Sequence, residues 1–260
     1  MNPIAIDLGF VAIRWYGIMV ALTFALGVFI SRALAKNYGL DLDKFDWLPL
    51  ILAPVWIIGA RVSYVIANYS YYRNNPWEII RVDYGGLGSQ GALILTFFAG
   101  LVYARITKLP FWTLADTFGP VLALGHVLVR IGNFANGELY GSPTSLPWGV
   151  IFPGTLEPRH PSMLYEGFAA AILFVLALRW ARSRKYPGEV FIKVVLGISV
   201  IRFFVDFTRD SAGRPHVLAF TQVLAFIYAV LSVIALRVLA SRVVTENSGE
   251  GKATDSGNLK

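Results

Sequence analysis

Of the 260 residues, 56% are hydrophobic and only 15% are charged, a balance that the water-facing surface of a soluble domain cannot carry and that identifies an all-α, polytopic membrane protein. The net charge of +7 does not point to a nucleic-acid partner, because the basic residues stand between apolar runs, where they report membrane topology. Absence of cysteine excludes disulfides, thiolate metal sites and a cysteine nucleophile, and His126, His160 and His216 fall in no zinc-ligand spacing, so no metal or soluble cofactor is expected.

A bilayer span takes roughly 17–25 mostly apolar residues. Seven stretches meet that requirement: about 15–35, 47–69, 86–104, 112–134, 162–180, 189–208 and 216–240. The first carries no obvious signal-peptidase site and reads as a retained span. With the C-terminus inside, fourteen Lys and Arg residues fall in the inner segments and six in the outer ones (Arg14, Arg73, Arg81, Arg159, Arg209 and Arg214), leaving Arg61, Arg130 and Arg202 within spans. The predicted bundle therefore has seven transmembrane helices, an outer N-terminus and a cytoplasmic C-terminus. Residues 1–242 form the membrane domain, with an outer loop over 137–161, and the polar, Gly/Ser-rich tail 243–260 is expected to be disordered.

Polar residues inside spans are costly and mark function by default. Tyr16 opens the first span. In the second, Arg61 lies on roughly one face with Tyr64 and Asn68, and is either turned into the bundle or snorkelling outward to the headgroups. The run Gly85-Gly86-Leu87-Gly88-Ser89-Gln90-Gly91 opens the third, suited either to close helix packing or to exposing amide donors to an anion. In the fourth, Asp116, His126, Arg130 and Asn133 fall near one helical stripe. Pro120 interrupts it, and Asp116 reads equally as a structural or interfacial group. The segment Pro143 to Pro161 is either a lid or substrate-binding arm, or a plain surface loop. Tyr165 and Glu166 follow at the start of the fifth span. Arg202 and Asp206, an i,i+4 pair in the sixth, either face a ligand or neutralise one another. In this topology these groups open on one outer-leaflet cavity suited to the headgroup of an anionic phospholipid. A lipid transporter would use the same parts.

The stretch Arg130-Ile131-Gly132-Asn133-Phe134-Ala135-Asn136-Gly137-Glu138-Leu139-Tyr140-Gly141 resembles the signature of the bacterial prolipoprotein diacylglyceryl transferases. Arg14-Trp15-Tyr16-Gly17, Gly59-Ala60-Arg61, Gly85-Gly86 with Ser89, Arg159-His160-Pro161-Ser162 with Leu164-Tyr165-Glu166, and Arg202-Phe203-Phe204-Val205-Asp206-Phe207 are similar to further family stretches, in the family's order. The resemblance implies transfer of the diacylglyceryl group of phosphatidylglycerol to the lipobox cysteine thiol of a signal-peptide-bearing prolipoprotein in the bacterial cytoplasmic (inner) membrane. A thioether forms and glycerol phosphate leaves.

It further implies that Arg130 and Arg202 bind the lipid phosphate, that Asn133 and Glu138 hold headgroup hydroxyls or local structure, and that Asp206 orients an arginine. Tyr16 positions substrate, Arg61 and Ser89 join the binding groups, and Gly141 sets the turn that closes the motif. Gln90 stands where many members carry histidine; it can donate and accept hydrogen bonds but is no base near neutral pH. Val129 and Ile198 also depart from the commoner family residues. If a base is needed, His126, one turn before Arg130, is the candidate, while His160 is expected to fix the loop. A relative that binds lipid without turnover is the alternative to an active transferase.

Overall fold

A computed structural model describes residues 3–9, 12–81, 86, 88–209 and 220–257. Gly85, Leu87, His216 and the start of the expected seventh span, 216–219, lie outside the described residues. The protein is mostly helical: α1 (Trp15–Asn37), α2 (Leu42–Phe45), α3 (Trp47–Ala67), α4 (Tyr69–Tyr72), α5 (Ser89–Thr107), α6 (Phe111–Asn136), α7 (Ser162–Arg182), α8 (Glu189–Val205) and α9 (Phe220–Gly257). The backbone of α9 continues through 243–257, the tail whose composition suggests disorder.

Six segments among the described residues are long and apolar enough to cross a membrane: Trp15–Asn37, Leu42–Ala67, Gln90–Thr107, Phe111–Asn136, Ser162–Arg182 and Phe220–Arg242. They coincide with six of the seven expected spans. The remaining one is α8, which has 17 residues. At 1.5 Å per residue it reaches roughly 25 Å, short of a hydrocarbon core about 30 Å thick. A 3₁₀ turn, Asp206–Thr208, extends it.

An all-α chain is not quite what forms. The first residues pair as an antiparallel hairpin, β1 (Ile4–Asp7) with β2 (Ala12–Arg14). The sequence Ile-Ala-Ile-Asp alternates as a strand does, and Asp7 Oδ1 accepts the Gly9 amide at 2.9 Å while Gly9 takes φ +76°.

By internal contacts the chain divides into two units, Arg32–Leu114 and Met1–Ser31 with Ala115–Lys260. In the first, α1 ends in a Schellman motif: Gly39, at φ +69°, donates to Lys36 O, and Leu40 donates to Ala35 O. Asp41 then caps α2 through the Lys44 amide. The packing of α3 on α5 depends on glycine. A Cβ at Gly59 would stand 2.6 Å from Gly91 O, and one at Gly91 would overlap Gly59 O and the Ser63 side chain. Small residues let the two backbones approach this closely, and Gly88 N donates to Ala60 O across the seam at 2.8 Å.

The second unit is built the same way. Along α1, Tyr16, Thr23 and Gly27 recur at helical spacing and meet Gly132, Gly125 and Val121 of α6. Ala123, Leu173, Ala177 and Val194 form a buried cluster from α6, α7 and α8, flanked by Leu122, Phe174, Trp180, Ile198 and Ile201. Asp116 belongs to this scaffold. Its carboxylate accepts Gly188 N at 2.7 Å and Phe191 N at 2.9 Å, capping α8, and pairs with Arg184 at 3.2 Å. The stripe expected to carry it beside His126 is ten residues long, or ~15 Å. That distance separates the α8 cap from the polar cluster, so the structural reading of Asp116 holds.

The α3–α5 seam yields a test in unfolding midpoints of purified protein. Gly91→Ala, forced against Gly59, is expected to lower stability by roughly 1–3 kcal/mol. Gly100→Ala, whose Cβ meets nothing within 4 Å, should leave it unchanged or raise it by up to about 1 kcal/mol.

Candidate active site

Glu166, one turn into α7, is wholly buried. A lone carboxylate there would be strongly destabilising, and it persists because cations surround it. Oε1 accepts from Arg130 Nη2 at 2.8 Å and lies 2.7 Å from His126 Nε2. Oε2 accepts from Arg209 Nη2 at 2.7 Å and pairs with Arg202 Nη1 at 3.5 Å. One side chain therefore ties α6, α8 and the 3₁₀ turn after α8 to α7.

A second carboxylate holds the same arginines from behind. Asp206 Oδ1 lies 3.2 Å from Arg202 Nε and 3.6 Å from Arg209 Nε, and Oδ2 accepts from Thr221 at the start of α9. Arg202 and Asp206 are thus paired, yet the pair does not close on itself, since Arg202 also reaches Glu166. Burial pushes the Arg209 guanidinium below its ordinary value, with Glu166 opposing and the neighbouring Arg202 and Arg130 adding to the push. It remains charged, as guanidinium does in proteins. Among the described residues, Nε of Arg130 and Nε of Arg209 are buried with no hydrogen bond, the latter facing Asp206 Oδ1 at ion-pair distance only.

The signature after Arg130 is a helix ending. Gly137 takes φ +70° and donates to Phe134 O, while Glu138 N donates to Asn133 O at 3.1 Å. This second Schellman motif turns Glu138 back over the helix end. Its Oε1 accepts from Asn133 Nδ2 at 2.9 Å and Asn136 Nδ2 at 3.2 Å, and Asn133 Oδ1 accepts from Arg130 Nη1 at 3.0 Å. The chain Glu138–Asn133–Arg130–Glu166 is continuous. Tyr16 packs against Gly132 and lies within electrostatic reach of Glu138 and Arg130.

The following loop is a folded piece rather than a plain surface segment. Phe152 is buried under the stacked Tyr140 ring, centroids 4.9 Å apart. Gly141 N donates to His160 O at 2.7 Å, and Ser142 N donates to Thr208 O at 2.9 Å. Ser162 Oγ is 2.6 Å from Thr208 Oγ1. His160 Nδ1 lies 3.2 Å from Tyr165 Oη, which also accepts from Trp148, so this histidine fixes the loop. A Cβ on Gly141 would run into Thr208 O, Ser162 Oγ and His160.

Arg61, Ser89 and Gln90 belong to the other unit. Arg61 is buried, which excludes an outward snorkel, and donates to the carbonyls of Glu78, Ile79 and Gly86 while lying over the Tyr72 ring. Those bonds hold the turn Pro76–Ile80 and Gly86 against α3. Ser89 and Gln90 open α5, and Gln90 is exposed.

The family model for prolipoprotein diacylglyceryl transferase matches residues 3–238. The chain belongs to that family. It is 38% identical over 251 residues to the phosphatidylglycerol–prolipoprotein diacylglyceryl transferase of Geobacter sulfurreducens, covering 93% of this chain and 96% of the relative. The protein of that name from Clostridioides difficile is 34% identical over 235 residues, covering 90% and 94%, and the one from Bordetella avium 39% over 226 residues, covering 84% and 85%.

In this family member, sequence reasoning placed Glu166 at the cavity without a role and missed Arg209. Glu166 had a usable signal, a carboxylate one turn into an apolar span. Arg209 had little. It sits outside the sixth span and counts there only as an outer positive charge, and its role depends on the 3₁₀ turn that folds it back.

Gly141→Ala is expected to reduce transferase activity at least tenfold, because the loop and the Thr208 turn must part to admit the methyl group. Product formation together with the unfolding midpoint measures it; full activity at an unchanged midpoint would contradict the geometry.

Proposed function

We propose that the cluster around Glu166 is where this transferase moves the diacylglyceryl group of phosphatidylglycerol to the lipobox cysteine thiol of a prolipoprotein. A thioether forms and glycerol phosphate leaves, the first step of lipoprotein maturation. The observation that carries this reading is the convergence of Arg130, Arg202 and Arg209 on one buried carboxylate, in a chain of the matching family.

The reaction is displacement at a glycerol carbon by sulfur, with a phosphate monoester as leaving group. Charge develops on the phosphate oxygen as the carbon–oxygen bond breaks, so preorganised cations aimed there lower the barrier. Guanidinium forks suit a phosphate better than point charges. Arg130 and Arg202 take that role here, and Arg209 is the third member of the cradle. Asn133 and Glu138 hold headgroup hydroxyls while fixing Arg130, Asp206 orients Arg202 and Arg209, and Tyr16 positions substrate at the start of α1. Gly141 sets the loop. In the other unit, Arg61 holds the carbonyls of Glu78, Ile79 and Gly86, ahead of Ser89 and Gln90 at the start of α5.

The topology that fits this chemistry has seven spans, α8 with its 3₁₀ turn being the sixth, the N-terminus outside and the C-terminus cytoplasmic. The fourteen-to-six distribution of Lys and Arg supports it. The ends of the helices that carry the cluster then open at the outer face of the bacterial cytoplasmic membrane, where a lipobox cysteine following a signal peptide is presented.

Purified protein incubated with phosphatidylglycerol and a lipobox peptide should add a diacylglyceryl mass to cysteine and release glycerol phosphate. Arg130→Ala should lose at least a hundredfold in rate, in the range of a removed transition-state donor, about 10²–10³. Arg209→Lys, which keeps charge and loses the fork, should lose roughly tenfold. Adduct formation by Arg130→Ala at the wild-type rate would refute the cradle.

A further inference from the structure

The cluster contains one basic side chain that is not a guanidinium. His126 lies on α6 one turn before Arg130, with Nε2 2.7 Å from Glu166 Oε1. Its side chain is about one-fifth exposed, and its Nδ1 has no hydrogen bond among the described residues. We infer that Glu166 and His126 form a carboxylate–imidazole dyad that takes the proton of the substrate thiol, Glu166 acting as the positioning residue and His126 Nδ1 as the base. The inference rests on the reading of the site given above and adds the group that generates the nucleophile.

Two arguments carry it. The first is tautomeric. Glu166 is a buried carboxylate surrounded by donors, so the short contact is an Nε2–H donated to Oε1. The lone pair is then on Nδ1, the nitrogen left unengaged, as when a buried carboxylate orients an imidazole base.

The second argument concerns charge. Arg130, Arg202 and Arg209 are connected by ion pairs or hydrogen-bonded side chains to Glu166, Asp206 and Glu138. Three cations face three anions, and Tyr16 beside Gly132 is neutral as a phenol. With a neutral imidazole the resting cluster is balanced. A bound phosphodiester adds one negative charge, and a proton received by the imidazole brings the cluster with its lipid back to balance. The thiol supplies that proton.

The step balances. The S–H proton passes to Nδ1 as sulfur bonds to the glycerol carbon. That carbon's bond to the phosphate oxygen breaks, and its electron pair leaves with glycerol phosphate. The second negative charge of the leaving phosphate develops beside the new imidazolium and the arginines. The imidazolium then returns its proton to the leaving phosphate or to water.

Selenium separates a base from a structural histidine, because a selenol is already ionised at neutral pH and needs no base. Full-length protein with phosphatidylglycerol is assayed by mass spectrometry on two lipobox peptides, one with cysteine and one with selenocysteine. With cysteine at pH 7, His126→Gln should be slower than wild type by roughly 10²–10⁴-fold, the usual contribution of a positioned base. With selenocysteine the two proteins should agree within about threefold. Glu166→Gln should be slow with both peptides, since the cradle loosens, but with a smaller defect toward selenocysteine. Equal defects of His126→Gln toward both peptides, or a wild-type rate with cysteine, would overturn the dyad. His126→Asn replaces the glutamine variant if that does not fold. Wild-type protein that modifies neither peptide would instead overturn the transferase reading of the site.

Discussion

A carboxylate with no access to water organises this molecule. Glu166 removes a negative charge from solvent, and four groups from α6, α8 and the turn after α8 compensate it. Removing one partner of such a set leaves an uncompensated buried charge, typically about 3–5 kcal/mol. The same requirement fixes the guanidinium forks in space before any substrate arrives, and preorganisation of that kind distinguishes a catalytic electrostatic site from a flexible basic patch. Stability and readiness for an anion therefore come from one interaction.

Helix endings supply the rest of the precision. The Schellman turn at Gly137 does more than stop α6: it sets Glu138 where it can hold Asn133, and through it the free side of Arg130. Arg202 and Asp206 stand one turn apart at the end of α8, and the short 3₁₀ turn brings Arg209 in beneath them. Charged side chains toward helix ends leave the buried stretches between them to small-residue packing, such as Ala123 and Ala177. Gly167 brings α7 within contact of the Arg130 side-chain stem, so even the packing glycine nearest the cluster helps aim a guanidinium.

Much of this was legible in the sequence. Apolar run lengths located six of the segments observed, and Arg130, Asn133, Glu138, Arg202, Asp206 and His126 do meet in one network. The hairpin at Ile4–Arg14 was not legible, because two short strands leave no period longer than a few residues. Asp116 lies on the right face of α6 at the wrong height, which helical periodicity alone does not resolve. Arg61 reads as a ligand group by charge and position, and its bonds instead go to backbone carbonyls, partners that no sequence pattern announces. Arg209 was hidden by the 3₁₀ turn, since a three-residue change of pitch decides whether that side chain points at Glu166 or away.

The loop between α6 and α7 is bonded through Ser142 and Ser162 to Thr208, the residue immediately before Arg209. The loop therefore cannot swing as an independent flap. Pulling Gly141 and Ser142 outward breaks the bonds from Ser142 to Thr208 or drags that residue, and the neighbouring guanidinium of the Glu166 cluster, along with them. Loop position and the charges around Glu166 share a single mechanical joint, so a peptide that wedges this loop open would also shift those charges.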